Sequence, residues 1–361
     1  MKRYRIALFC SAFILAGGIL NLAKAQGSNA AAQKHIDIAK AAAYRPGHDL
    51  TALYEVVCEP ALSGKARGEG APAKDPAPGS TVLSSVKVPS HSEWYFPPAK
   101  VFDNLYWLGS HADSLSTPTV FGNSTWAVKT SEGIILIDAG MNHSVKELVT
   151  DGLKKLGEDP AQIKYLIISH AHSDRYWGAK YIQDTYKAHV ILSEADWHGI
   201  EISPDPNELK PRKDMVATDG MKLTLGDTTL TLYLTPGHTP GTISTLVPLK
   251  DGNQRHLGAV WGGINPTLYG HGVRNGPNLA AVIKTWSAST ARFMDIANKA
   301  GADVYLTIHP GYDMALEKIR ALPYRKAGDP HPFVSKDNLM RFLTIIKECS
   351  DAQLAGLGAN S

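Results

Sequence analysis

Two histidines and an aspartate occupy alternate positions directly after an apolar run, in the stretch YLIISHAHSDRYWG. They are His170, His172 and Asp174, and Arg175 follows them. The apolar run is typical of a buried strand, and polar side chains converge at the carboxyl ends of strands in layered α/β folds. Imidazole and carboxylate groups are ligands that zinc prefers. The stretch therefore predicts part of a metal site at the end of a strand.

Two further histidines have the same local setting. His238 lies in LYLTPGHTPGT and His309 in VYLTIHPGYD, so each follows an apolar strand and is flanked by glycine or proline, which favour a tight turn. A single histidine of this kind is more often structural than metal-binding. The His-x-His-x-Asp pattern together with two matching sites instead predicts that all five side chains surround one catalytic metal centre. Other histidines lack this setting and are typical of surface or hydrogen-bonded positions, among them His35, His91, His189 and His331.

The elements that carry these residues alternate between strand and helix. Strands are predicted for IKYLIIS, HVILSE and DVYLTI, and helices for YWGAKYIQDTY and AAVIKTWSASTARFMDIANKA. STWAVKTSEGIILIDAG predicts two strands joined by a turn at Glu132-Gly133. This order is typical of a layered α/β domain in two similar halves.

Composition and other motifs exclude several classes of function. The 361 residues are 43% apolar and 20% charged, as in an ordinary globular protein, and the net charge is only +3. No basic cluster is interleaved with aromatic residues, so nucleic acid is not expected as a partner. There is no G-x-S-x-G nucleophile elbow and no G-x-x-x-x-G-K-[ST] phosphate loop.

Residues 1–25 have the pattern of a signal peptide. MKRYR gives a basic start, IALFCSAFILAGGIL an apolar run, and Ala23-Lys24-Ala25 a cleavage site before Gln26. We therefore expect a periplasmic or secreted protein, with an uncleaved membrane anchor as the alternative. No later segment is apolar and long enough to span a membrane. Residues 26–95 are interpreted as an N-terminal extension and linker, and residues 96–361 as the domain that carries the candidate metal site.

Export affects the interpretation of the cysteines. Cys10 leaves with the signal peptide, and Cys58 and Cys349 remain as a pair in an oxidising compartment. Cys349 follows Leu339, Phe342 and Ile346 at helical spacing, which predicts that it lies on the buried face of a C-terminal helix. A disulfide tying this helix to the N-terminal segment is one expectation, and two buried free thiols are the other.

Four motifs together resemble the metallo-β-lactamase fold superfamily. They are LIDAG at residues 136–140, HAHSD, PGHTPG and a late HPG, and the similarity extends over about residues 95–325. The resemblance implies an αββα sandwich of two mixed β-sheets flanked by helices, with a metal site at the edge of the sheets. The SEADW segment and the signal peptide are most similar to the third subclass of metallo-β-lactamases, which are secreted zinc hydrolases.

The resemblance also implies roles for individual residues. His170, His172 and His238 would hold the first zinc, Asp174 and His309 would belong to a second, and Asp138 would brace the site. A zinc-bound hydroxide would attack the carbonyl of a cyclic amide. Asp174 would orient that hydroxide, with proton transfer to the leaving nitrogen as a further role.

Arg175 departs from this pattern. The third subclass has a second-zinc histidine here, whereas a guanidinium has no lone pair to donate and stays charged. In the first subclass a later cysteine completes the second site, but the corresponding GAVWGGINPT contains none. We therefore expect one firmly bound Zn²⁺ and a second site that is weak or absent, unless His271 contributes. Arg175 itself would either support the loop through a salt bridge or bind substrate.

Three functions remain open for a small-molecule substrate. Lactonases and thioester hydrolases of the superfamily normally place an aspartate between the third and last metal-binding histidines, and VWGGIN offers none. This favours a β-lactamase-like hydrolase over a lactonase or other ester hydrolase. A catalytically impaired periplasmic protein that binds a metal or ligand is the third possibility. The oligomeric state is not predicted.

Overall fold

The computed structural model describes residues 30–45, 50–63, 88, 90–111, 122–265 and 279–358. The expected signal peptide, most of the linker and His271 lie outside these residues. Within the described part of the chain, no helix has both the length and the apolar character needed to cross a membrane.

Two mixed β-sheets form the centre of the protein. The seven-stranded sheet has the order β1-β2-β3-β4-β5-β6-β7, antiparallel from β1 to β4 and parallel from β4 to β7. The five-stranded sheet has the order β12-β11-β10-β9-β8, in which only β11 and β12 are parallel. The strands are β1 (Ala99–Phe102), β2 (Leu105–Trp107), β3 (Trp126–Thr130), β4 (Gly133–Ile137), β5 (Ile163–Ile167), β6 (His189–Ser193), β7 (Met215–Ala217), β8 (Met221–Leu225), β9 (Thr228–Leu234), β10 (Ile243–Asp251), β11 (Gln254–Trp261) and β12 (Val304–Thr307).

Helices cover the outer faces of both sheets, so the architecture is the expected αββα sandwich. Short helical turns also occur at Pro160–Gln162, Asn207–Leu209 and Leu322–Tyr324, and a wide turn at Lys146–Asp151 leads into α4. The helices are α1 (residues 30–43), α2 (Thr51–Ser63), α3 (His91–Trp94), α4 (Gly152–Lys155), α5 (Ser173–Tyr176), α6 (Ala179–Tyr186), α7 (Glu194–Ile202), α8 (Leu279–Ala300), α9 (Pro310–Asp313), α10 (Ala315–Ala321) and α11 (Lys336–Gly356).

The apolar residues of both sheets form a continuous core between them. Val128, Ile135 and Ile167 of the larger sheet pack in the same cluster as Leu232 and Val260 of the smaller one. Because side chains alternate between the two faces of a strand, the neighbouring residues point to the outer faces. There they pack under the helices, which explains why β4 is buried at every position.

The N-terminal helices pack on the outer face of the smaller sheet together with α8 and α11. Leu53, Tyr54, Val57 and Cys58 of α2 are buried in this cluster. These residues belong to the predicted extension and linker, for which α2 was not predicted. They occupy positions i, i+1, i+4 and i+5, which is the pattern of one apolar face of a helix, so the sequence did contain a signal for α2.

Two connections fasten the N-terminal helices to α11. The Arg341 guanidinium donates to the carbonyl oxygens of Ala42 and Ala43, at 2.6 and 3.1 Å, and so satisfies the end of α1. A disulfide joins Cys58 to Cys349, and Cys349 lies on the buried face of α11, as its spacing predicted. The last described helix, α11, is therefore joined to α1 by hydrogen bonds and to α2 by a covalent bond.

Removing the disulfide should destabilise the fold. We expect Cys58→Ser to lower the free energy of unfolding by roughly 2–5 kcal/mol, because the cross-link restricts the unfolded chain over a separation of 291 residues. Urea unfolding measures the change, with the wild type in dithiothreitol as a matched control that should fall by a similar amount. Equal unfolding midpoints for the variant and the oxidised wild type would show that the bond contributes nothing.

Candidate metal site

The predicted site residues lie together at one edge of the sandwich. His170, His172 and Asp174 follow the end of β5, and His172 immediately precedes α5. Asp138 follows β4, and His309 follows β12. His238 lies in the connection between β9 and β10. Asp174 lies in α5, and the other residues lie in the connections at this edge, where the strands end.

Three of the histidines form a compact group. His170, His172 and His238 each offer a ring nitrogen, and these nitrogens all lie within 4.8 Å of one another. The ring centroids are 4.3 Å apart for His170 and His238, 4.6 Å for His170 and His172, and 4.7 Å for His172 and His238. The group can hold one metal ion.

The tautomers of two rings point to a cation between them. His170 Nδ1 lies 2.8 Å from the Gly262 carbonyl oxygen, and His238 Nδ1 lies 2.6 Å from that of Asn265. A carbonyl only accepts, so each Nδ1 carries a proton and each neutral ring leaves a lone pair on Nε2. The two Nε2 atoms are 3.1 Å apart. Two lone pairs at this distance repel each other unless a cation lies between them, and tetrahedral zinc separates its nitrogen ligands by roughly 3.3 Å.

The buried position of the rings keeps them neutral. Burial, followed by the neighbouring imidazoles, lowers the pKa of both His170 and His238 well below the usual value. A neutral imidazole is the form that binds a metal. The donor set therefore fits a zinc ion in chemistry as well as in geometry.

A Gly-Gly pair lets the chain approach these rings. A Cβ on Gly263 would lie 2.4 Å from Cβ of His238, and one on Gly262 would lie 2.0 Å from the Ile243 carbonyl oxygen. Any side chain at either position would displace the segment that supplies both carbonyl acceptors. The role of this VWGGIN segment was not predicted, because it contains neither aspartate nor cysteine, the metal ligands expected there. The paired glycines were the available signal.

Arg175 is fully buried beneath the site and does not face solvent. Its Nη1 donates to the Ile308 carbonyl oxygen at 2.6 Å and lies 3.5 Å from Asp138 Oδ2. Its Nη2 donates to the side-chain oxygens of Asn123 and Asp174. Of the two roles considered for Arg175, this position favours support of the loop by ion pairs over substrate binding.

The two remaining candidate ligands lie beside this guanidinium. His309 Nε2 is 3.9 Å from Asp174 Oδ2, and His309 Nδ1 lies 2.6 Å from the Gly122 carbonyl oxygen. Burial raises the pKa of Asp174, but the Arg175 charge and hydrogen bond together with the neighbouring His309 and His172 outweigh it and hold that pKa well below its ordinary value. Burial and the same charge lower the pKa of His309 to about 4. Asp174 is therefore ionised and His309 neutral around pH 7.

Asp138 braces the loop that carries the histidines. It accepts hydrogen bonds from the backbone nitrogen and hydroxyl of Ser169, at 2.7 and 2.9 Å, directly before His170. Its φ of 63° is in the left-handed region, which is strained for a residue other than glycine. Burial raises the pKa of its carboxyl to about 6, against the opposing charge of Arg175. Its contacts thus hold the segment directly before His170.

Comparisons with known proteins agree with this architecture. Residues 118–251 match the family model of the metallo-beta-lactamase superfamily. The FEZ-1 metallo-beta-lactamase from Legionella gormanii superposes with a TM-score of 0.56 and 25% identity, over 69% of this chain and 91% of that enzyme. BJP-1, a subclass B3 metallo-beta-lactamase of Bradyrhizobium japonicum, gives a TM-score of 0.57 and 28% identity, over 72% and 94% of the two chains.

A curated relative has a different activity in its name. The N-acyl homoserine lactonase AttM of Agrobacterium fabrum (strain C58 / ATCC 33970) is 36% identical over 111 residues, which is 28% of this chain. The match spans 42% of the lactonase. The similarity therefore covers less than half of that enzyme.

The fold and these matches define the class of the protein. The chain carries a metallo-β-lactamase superfamily domain, its structural neighbours include subclass B3 enzymes, and the superfamily is one of metal-dependent hydrolases. The predicted fold and family are confirmed.

Proposed function

We propose that the protein is a zinc-dependent hydrolase that opens a cyclic amide, as a β-lactamase does. The observation that carries this proposal is the pair of Nε2 lone pairs of His170 and His238, 3.1 Å apart, with both Nδ1 atoms bound to carbonyl oxygens. A cation bound between the rings makes this arrangement favourable, because it accepts both lone pairs.

A zinc ion on three neutral imidazoles would acidify a water molecule and polarise a carbonyl. Hydrolysis adds that water across the C–N bond: a C–O bond forms at the carbonyl, the C–N bond breaks, and the nitrogen gains a proton. The Asp174 carboxylate would accept a hydrogen bond from the attacking water and fix its orientation. A carboxylate with so low a pKa is a poor proton carrier near neutral pH, so we assign Asp174 an orienting role rather than a relay.

We further propose that the site holds one zinc firmly. Asp174 and His309, which would bind a second ion, lie beside the Arg175 guanidinium, and Asp174 accepts a hydrogen bond from it. A second divalent ion there would meet a fixed positive charge in a buried environment.

The lactonase relative supports a second candidate, hydrolysis of a lactone. The two reactions differ in the bond broken, which is C–N in a cyclic amide and C–O in a lactone. The absence of an aspartate from VWGGIN favours the amide, whereas the identity to AttM favours the ester.

Export to the periplasm or outside the cell is also part of the proposal. It is supported by the pattern of residues 1–25 and by the Cys58–Cys349 disulfide, since structural disulfides persist in oxidising compartments.

Removal of the metal tests the function. The mature protein, purified without added metal, is assayed for zinc content and for turnover of a chromogenic cephalosporin and of an N-acyl homoserine lactone. We expect about one zinc per chain, as three-histidine sites bind, with cephalosporin turnover that a chelator abolishes and zinc restores. Turnover of the lactone alone would favour the second candidate. Firmly bound zinc without turnover of either substrate would contradict the hydrolase proposal and favour a binding protein.

A further inference from the structure

A buried carboxylate contacts both of the loops that carry the metal-binding histidines. Asp196 lies in the first turn of α7, where its backbone nitrogen donates to the capping hydroxyl of Ser193 at 3.2 Å. Its side chain is 1% exposed. Hydrogen bonds from backbone nitrogens and a hydroxyl compensate the burial of its carboxylate.

The donors to Asp196 come from two separate parts of the chain. The backbone nitrogen of Ala171 donates to Oδ2 at 2.9 Å, and Ala171 lies between His170 and His172. The hydroxyl of Thr239, the residue after His238, donates to the same oxygen at 2.7 Å, and the backbone nitrogen of Gly241 donates to Oδ1 at 2.8 Å. One carboxylate thus joins the loop of two proposed ligands to the loop of the third.

The second loop approaches Asp196 as closely as a glycine allows. A Cβ on Gly241 would lie 1.9 Å from Ser193 Oγ and 2.7 Å from Asp196 Oδ1. The loop is also closed on itself, because the backbone nitrogen of Thr239 donates to the Thr242 hydroxyl at 2.9 Å. A shift of the Asp196 contacts would therefore move the loop, and His238 with it.

We propose that Asp196 is a positioning residue that holds the two metal-binding loops at the relative position that zinc binding requires. The inference rests on the proposed zinc site and adds a residue that does not touch the metal. A carboxylate suits this role because both of its oxygens accept. In an asparagine one of these oxygens is replaced by an NH₂ group, which would face a hydrogen-bond donor and could not accept from it.

Zinc affinity and the spectrum of a cobalt-substituted protein test the proposal. We expect Asp196→Asn to weaken zinc binding about 10- to 100-fold, the range for lost outer-shell partners, in competition with a chromogenic chelator. The visible absorption of bound Co²⁺ should also change, because that spectrum reports ligand geometry. Asp303→Asn is the matched control. Asp303 also accepts a hydrogen bond from a backbone nitrogen, that of Leu257 at 3.0 Å. It directly precedes β12, whereas His309 follows the other end of that strand.

A second pair of variants keeps the test decisive if Asp196→Asn does not fold. Thr239→Val removes one donor and should weaken zinc binding, whereas Thr239→Ser keeps the hydroxyl and should restore the wild-type affinity and Co²⁺ spectrum. Wild-type affinity and spectrum in Asp196→Asn would overturn the positioning role and leave the zinc site intact. If Asp196→Asn is unfolded, equal binding by the two Thr239 variants would overturn it. A wild-type protein that binds no zinc would overturn the zinc site itself, and the positioning role with it.

Discussion

Replacing His172 with alanine should remove both the bound zinc and the hydrolytic activity. His172 supplies one of the three ring nitrogens that lie within 4.8 Å of one another. Loss of a direct ligand should exceed the effect of losing an outer-shell partner, so we expect zinc affinity to fall by more than about 100-fold. Turnover should fall with it, because the attacking water is activated only at the metal. Metal analysis after dialysis and turnover of the chromogenic substrate measure the two effects.

His189→Ala is the matched control for this variant. His189 is exposed on β6 and pairs with Asp214 at 3.0 Å, so the same substitution there removes an imidazole without touching the site. It should retain zinc and turnover. Full zinc occupancy in His172→Ala would contradict the assignment of His172 as a ligand, and turnover without zinc would contradict a metal-dependent mechanism.

Replacing Arg175 with histidine should create a second metal site. The substitution removes the positive charge beside Asp174 and His309 and introduces an imidazole with a lone pair. We expect the zinc content at saturating metal to rise from about one to about two per chain, since the position would then have three protein ligands. Equilibrium dialysis against buffered zinc measures the stoichiometry.

The same variant should be less stable without metal. Arg175 is fully buried, and its removal leaves the buried Asp138 carboxylate without its positively charged partner, a change that typically costs about 3–5 kcal/mol. Arg175→Lys is the control, because it keeps the charge and has no lone pair when protonated, and it should still bind about one zinc. An unchanged stoichiometry in Arg175→His would mean that Arg175 does not limit the second site.

The metal-binding histidines were predictable because each follows an apolar strand. HAHSD, PGHTPG and HPG come after β5, β9 and β12, and the fold brings those strand ends to one edge. The layered α/β architecture was predictable too, because buried strands leave a clear apolar pattern in the sequence and helices alternate with them.

The supporting contacts were not predictable in the same way. The acceptors for His170 and His238 are backbone carbonyl oxygens of Gly262 and Asn265, which every residue type possesses. Arg175 was recognised as unusual, but its partners Asn123 and Ile308 come from distant segments. Asp196 was noted only as part of SEADW, because its donors lie 25 to 45 residues away in sequence.

The Cys58–Cys349 bond imposes an order on the maturation of the protein. Its two sulfurs are separated by 291 residues, and Cys349 lies in the last helix. The bond therefore cannot close until synthesis has passed Cys349, 291 residues after Cys58. Before the bond forms, noncovalent contacts alone retain the N-terminal helices, among them the Arg341 hydrogen bonds to Ala42 and Ala43.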